Sequence, residues 1–107
     1  MINFKIKELL NLHEDEDKVI EKIYNELYKQ LKLKEKVILD FAGIDILYTA
    51  FFNDTVGKLF LSFDTNFLLN HLTVKNINSD DASLLKYSIN EAIKKRDAIK
   101  KNTHEPA

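Results

Sequence analysis

The chain has 107 residues, 45% of them hydrophobic and 31% charged, and a formal net charge of −1. That length gives one domain with a real core, and the balance is too apolar for a disordered segment. The near-zero charge supplies no field to gather nucleic acid or anionic lipid, and the absence of cysteine excludes disulfides, thiolate metal sites and a cysteine nucleophile.

The first stretch, INFKIKEL, alternates: Ile2, Phe4 and Ile6 are apolar while Asn3, Lys5 and Lys7 are polar, the period of a half-buried strand. Its lysines leave no apolar run of the length a signal peptide needs. Nothing in the sequence approaches the roughly 18 apolar residues of a membrane span, so a cytosolic location is expected. After NLHEDED, the residues Val19, Ile20, Ile23, Tyr24, Leu27 and Leu31 form one stripe and predict a helix over 15–33. Asp15, Glu16 and Asp17 lie at its positive end, and Lys32, Lys34 and Lys36 lie near the other. KVILDF reads as a compact strand. Thr49 to Phe63 reads as a second helix, with Phe52, Val56, Leu59, Phe60 and Phe63 on one face. HLTVKNI alternates again. A last helix starts after Asn78 or Ser79, either of which can cap it, and turns Leu85, Ile89, Ala92 and Ile93 inward. Residues 1–100 form the single domain, and 101–107 read as a disordered tail.

The order β-α-β-α-β-α favours parallel pairing. By parity one sheet face carries Ile2, Phe4, Ile6, Val37, Leu39, Phe41, Leu72 and Val74. The other carries Asn3, Lys5, Lys7, Ile38, Asp40, His71, Thr73 and Lys75. Only one face is apolar. The expected fold is therefore a small two-layer α/β sandwich, mainly parallel, with helices on one side rather than both.

Few chemistries survive a search of the sequence. VGKLF holds a Gly-Lys pair, but it lacks the upstream glycine and the following Ser/Thr of a phosphate-binding loop, and two glycines cannot build a dinucleotide fingerprint. HEDED at 13–17 suits a solvated helix N-terminus better than a metal site, and no His-Glu-x-x-His occurs. No serine has the surroundings of a nucleophile elbow. Asp40 and Asp45 flank the end of the second strand and are read as turn chemistry. The basic run KKRDAIKK sits at a helix C-terminus without interleaved aromatics, so no nucleic-acid partner is expected. No cofactor or metal is expected either. Thr49 stands at the start of the second helix, where it can cap the backbone or accept a phosphate favoured by the helix dipole.

VILDFAGIDILYTAFFNDTVGKL resembles the central motif of STAS-like domains, near the anti-sigma factor antagonists and nearest a bacterial and phage STAS-like family of unknown function. The residues that carry the likeness are Asp40–Phe41, Gly43–Ile44, Thr49–Ala50, Phe51 and Gly57–Lys58–Leu59. The resemblance implies a binding protein rather than an enzyme. In the antagonists the strand–helix turn reads Asp-Ser-Ser-Gly, and a partner serine kinase of the histidine-kinase-like ATPase type phosphorylates the second serine. Here Tyr48, Thr49, Ala50 and Phe51 occupy those positions. The acceptor position has no hydroxyl, which leaves Thr49 as the one substitute phosphoacceptor.

The leading expectation is a regulatory protein-binding module whose contact surface is Gly43, Asp45, Tyr48, Thr49, Phe51, Asn53 and Asp54. ILYTAFF is more apolar than one helical face can bury, and apolar surplus at a surface marks partners. The alternatives are a switch phosphorylated at Thr49, a small enzyme, and a homodimer formed through the edge strand FKIKEL or the exposed start of the second helix.

Overall fold

The computed structural model describes residues 1–10, 15–44 and 47–104, without the side chains of residues 100–104. Strand β1 (Ile2–Lys5) leads into helix α1 (Ile6–Leu10), and α2 (Glu16–Lys32) follows. Strand β2 (Val37–Asp40) crosses into α3 (Thr49–Phe52), a π turn (Asn53–Gly57) and α4 (Lys58–Ser62). Helix α5 (Thr65–His71) precedes strand β3 (Leu72–Lys75), and α6 (Ser79–His104) closes the chain.

The three strands lie in the order β1-β2-β3, all parallel, with Val37 in register with both Ile2 and Leu72. Right-handed crossovers between strands added in one direction all fall on the same face. The residues agree. Val37, Leu39 and Phe41 are buried, while Asn3, Lys5, Thr73 and Lys75 on the opposite face are exposed. This is the expected one-sided α/β sandwich. Burying Ile20, Ile23, Leu27 and Leu31 places the stripe of α2 in the core, and Asp15 caps that helix by accepting the Asp17 N–H at 3.1 Å.

The sequence reading needs correction at several places. The first strand stops at Lys5, because Ile6, Leu9 and Leu10 stand at i, i+3 and i+4 and turn Ile6 into the core as a helix. Helix α5 falls where no element was expected. Asp64 starts it by accepting the Asn66 and Phe67 N–H groups at 3.1 and 3.4 Å, and Leu68 anchors it. The second helix is one rod, 49–62, interrupted by the π turn. There the Thr55 hydroxyl donates back to the Phe51 carbonyl at 2.7 Å. Gly57 lets the rod press on α6, since a Cβ at that position would lie 3.2 Å from the Phe52 carbonyl oxygen and 3.7 Å from Ser88 Cβ.

Arg96 ties the far ends of these helices together. One guanidinium nitrogen donates to the Phe60 and Phe63 carbonyls at 3.1 and 3.2 Å, and the other donates to Thr65 Oγ1 at 2.9 Å. The carbonyls that α4 leaves unpaired thus find a cation. The basic run at 94–101, read as dipole-favoured placement on its own helix, also serves a neighbour.

Candidate functional site

The crossing from β2 to α3 is built around two carboxylates. Asp40 Oδ1 accepts the Ala42 N–H at 3.0 Å and the Asn76 side-chain amide at 2.9 Å, and Lys75 Nζ lies 4.0 Å from Oδ2. The Asn76 amide, then the Ala42 N–H, hold its carboxyl below the usual range, with Lys75 and Lys5 adding to the effect against partial burial. The Ile44 N–H returns to the Phe41 carbonyl at 3.2 Å and closes a turn with Gly43 at its third position. That residue has φ +78°, which glycine adopts without strain. Turn chemistry is therefore the role of Asp40 and Gly43. Asp45 lies outside the described residues, as do His13 and Glu14 of HEDED.

The second carboxylate was missed in the sequence. Asp81, 2% exposed, accepts the Leu47 N–H on Oδ1 at 3.0 Å and the Asn78 amide on Oδ2 at 2.8 Å. Its own N–H donates to Asn78 Oδ1 at 2.8 Å, and the Asn78 amide also reaches the Ile44 carbonyl at 3.3 Å. Asn78 is thus the cap of α6, and Asp81 repeats the reciprocal logic of a capping box while reaching across to the segment before α3. The pattern Asn-x-x-Asp was readable as a cap. Its second task, across 34 residues, was not.

The described part of ILYTAFF, from Leu47 on, divides its apolar residues between inside and outside. Phe51 and Phe52, 1% and 0% exposed, pack with Phe41 in an aromatic cluster whose ring centroids lie 5.4 to 6.5 Å apart. Phe51 is therefore core and leaves the expected contact surface. Tyr48 stays outside at 42% exposed. It also takes the cap position expected of Thr49, with extended backbone (φ −125°, ψ 161°) and no side-chain cap bond. Thr49 becomes the first helical residue, half-buried. Asn53 and Asp54, on the first turn beyond, are exposed.

The Tyr48 hydroxyl donates to Glu16 Oε1, joining the start of α3 to the start of α2. Partial burial first, then this bond and the charges of Glu16, Asp17 and Asp54, push its pKa up to about 12. The exposed residues of the crossing thus form an aromatic tip beside carboxylates, and Lys58, which shares a cavity with Asp17 and Asp54, lies over the Tyr24 ring, 4.4 Å from its centroid. Gly43, at the sheet end of the crossing, is exposed as well.

Among the described residues no group of three or more His, Asp or Glu side chains is placed to hold a metal ion, and no helix is long and apolar enough to cross a membrane. No curated protein and no solved structure matches the chain. One family pattern does, over residues 21–82, from the middle of α2 through the crossing to the start of α6. With the parallel sheet and one-sided helices already in place, the match settles the family: the chain belongs to the STAS-like domains of unknown function (DUF4325).

Proposed function

We propose that this domain is a non-enzymatic regulatory module of the cytosol that docks a protein partner through the outer surface of the β2–α3 crossing. Tyr48, Thr49, Asn53 and Asp54 form its centre and Gly43 its rim. The observation that carries the reading is Tyr48, an aromatic side chain left 42% exposed on a helix start whose other large apolar residues are fully buried. Tyrosine is enriched where proteins meet, because it offers rigid apolar area with a polar end. Glu16, Asp17 and Asp54 around it give the surface a sign, so the partner's face carries lysine or arginine. A histidine-kinase-like ATPase or serine kinase is the partner class that the likeness to anti-sigma factor antagonists suggests.

The test is retention of the partner from cell extract by the wild-type domain and by a Tyr48→Ala, Asp54→Lys double variant, with circular dichroism as the folding control. Loss of retention by a folded variant is expected. Undiminished retention would remove the surface from consideration.

A second reading makes Thr49 a phosphate acceptor, supported by its place in the first turn of α3, where unpaired N–H groups favour an anion. The carboxylates around Tyr48 oppose a phosphate there, which ranks this reading second. Mass spectrometry after incubation with the partner kinase and ATP distinguishes the two, by one added phosphate on the Thr49 peptide or none.

A further inference from the structure

The helices cover one face of the sheet, and the other face carries a pattern of its own. The register sets it out in rows: Lys36, which alternates with the buried Val37, then Asn3–Ile38–Thr73, then Lys5–Asp40–Lys75. Asn3, Lys5, Lys36, Thr73 and Lys75 are exposed, and Ile38 lies half-buried at the centre. Asp40 supplies the one carboxylate of these rows. It is 9% exposed and already accepts the Ala42 N–H and the Asn76 amide. Three lysines therefore set the sign of the surface. By the rise along a strand and the spacing between strands, their Cα atoms stand roughly 7–8 Å from that of Ile38.

The crossing presents the complement. Tyr48 projects there with Glu16 bonded to its hydroxyl and with Asp17 and Asp54 close by, and Lys58 is the opposing cation. One surface is an aromatic side chain beside three carboxylates and a lysine, and the other is an isoleucine among three lysines and a carboxylate. Tyr48 belongs to the helix layer and Ile38 faces away from it, so a single copy cannot join its own two surfaces. Two copies can.

We propose that Tyr48 of one copy seats on Ile38 of a second, with Glu16, Asp17 and Asp54 set against Lys5, Lys36 and Lys75. The inference rests on the docking surface proposed above and names an occupant for it, the open sheet face of another copy of this chain. The tyrosine ring covers the half-buried isoleucine, and Asn3 and Thr73 on either side offer hydrogen-bonding groups to its polar end. Opposite charges steer the encounter and fix the orientation, while the apolar contact at the centre holds it. The contact is head-to-tail. Each pair of copies keeps one unused tip and one unused face, so assembly continues past a dimer unless the rotation closes a ring.

The experiment is sedimentation of the purified chain in low salt from about 1 µM to about 1 mM, a span that covers weak to moderate association. The average mass should pass that of a dimer, and it should fall back toward the monomer in about 1 M salt, where charges are screened beyond about 3 Å. Two variants separate the surfaces, with circular dichroism as the folding control. Tyr48→Ala, Asp54→Ala removes the tip. Lys36→Glu, Thr73→Glu spoils the face and leaves Lys5, Asp40 and Lys75 in place, and all four substituted positions are exposed. Each variant alone should stay monomeric. An equimolar mixture should form a 1:1 dimer and nothing larger, because each variant keeps the surface that the other lacks. A wild type monomeric throughout, an assembly indifferent to salt or to either variant, or a mixture without the 1:1 dimer overturns the inference. Retention of a different chain by that wild type, and not by the tip variant, would then leave the docking surface standing with another occupant.

Discussion

Tyr48 and Phe51 stand three residues apart at the same helix start, yet one is 42% exposed and the other 1%. Residues three apart on a helix usually share a face. Here Tyr48 precedes the first turn with extended backbone, so its side chain leaves the helix direction and reaches Glu16, while Phe51 points back to Phe41 and Phe52. The lesson is that a single crossing can be stiff within and open without. The inner residues, with Asp40 and Asp81, set the position of the backbone, and the outer ones are left free for contact.

Breaking the inner half should have the largest effect. Phe51→Ala removes a fully buried ring from a three-ring cluster and should cost about 3–5 kcal/mol by urea denaturation. That is a large share of the roughly 5–15 kcal/mol that holds a domain of this kind. A loss of under about 1 kcal/mol would mean that the core at the crossing is not packed as described. Next comes Asp81→Ala, which strips a partner from the buried Leu47 N–H and from Asn78, at about 2–3 kcal/mol. Its distinguishing readout is hydrogen exchange, with the Leu47 amide losing protection well beyond that of the core strands. Gly43→Ala should follow at about 1–2 kcal/mol. The position has φ +78°, and the Lys7 stem that a Cβ would meet at 3.0 Å is flexible enough to move aside.

The Asp40 carboxylate gives a pH test of the same inner half. Its pKa is lowered on folding from 3.8, so the unfolded chain binds the proton more readily. Its contribution is complete above about pH 4 and lost as the pH falls through the lower folded value. Asp40→Asn should therefore flatten that acid limb of the stability curve. An unchanged slope between the two proteins would show that Asn76 and Ala42 do not favour the charged form.

How far the sequence carried the reading depended on the kind of pattern. Both periods were visible, the helical one in α2 and the alternating one in β1 and β3, and the parity of apolar residues along three short strands was enough to place the expected helices on one face. Residues Ile6–Leu10 fit two periods at once, since Ile6 continues an alternation and also begins an i, i+3, i+4 set. Helix α5 carries one fully buried residue, Leu68, and so no stripe long enough to see. The π turn rests on packing between Gly57 and α6, which no local pattern records. The site was legible as a place but not as a partition. Composition showed that ILYTAFF had more apolar residues than one face could take, and only the aromatic cluster shows which of them went inside. Asp81 lay beyond reach because its partner, Leu47, is remote in the chain.

The outer half should yield the smallest change in stability, and that contrast is what sharpens the comparison. The Tyr48 hydroxyl is joined to Glu16 at an exposed position, so Tyr48→Phe should alter stability at neutral pH by no more than about 0.5 kcal/mol. A signature appears in alkali. Folding raises the Tyr48 pKa from 10.0 to about 12, because burial and the neighbouring carboxylates disfavour phenolate. The folded protein then holds its proton where the unfolded chain has released it, so the stabilisation is complete below pH 10 and is lost as the pH rises toward 12. Wild type and Tyr48→Phe should diverge only across that window, and Glu16→Gln should narrow the divergence, because it removes one of the charges that raise the pKa. If Tyr48→Phe were instead as damaging at neutral pH as Phe51→Ala, Tyr48 would belong with the core, and the crossing would have no outer half to offer a partner.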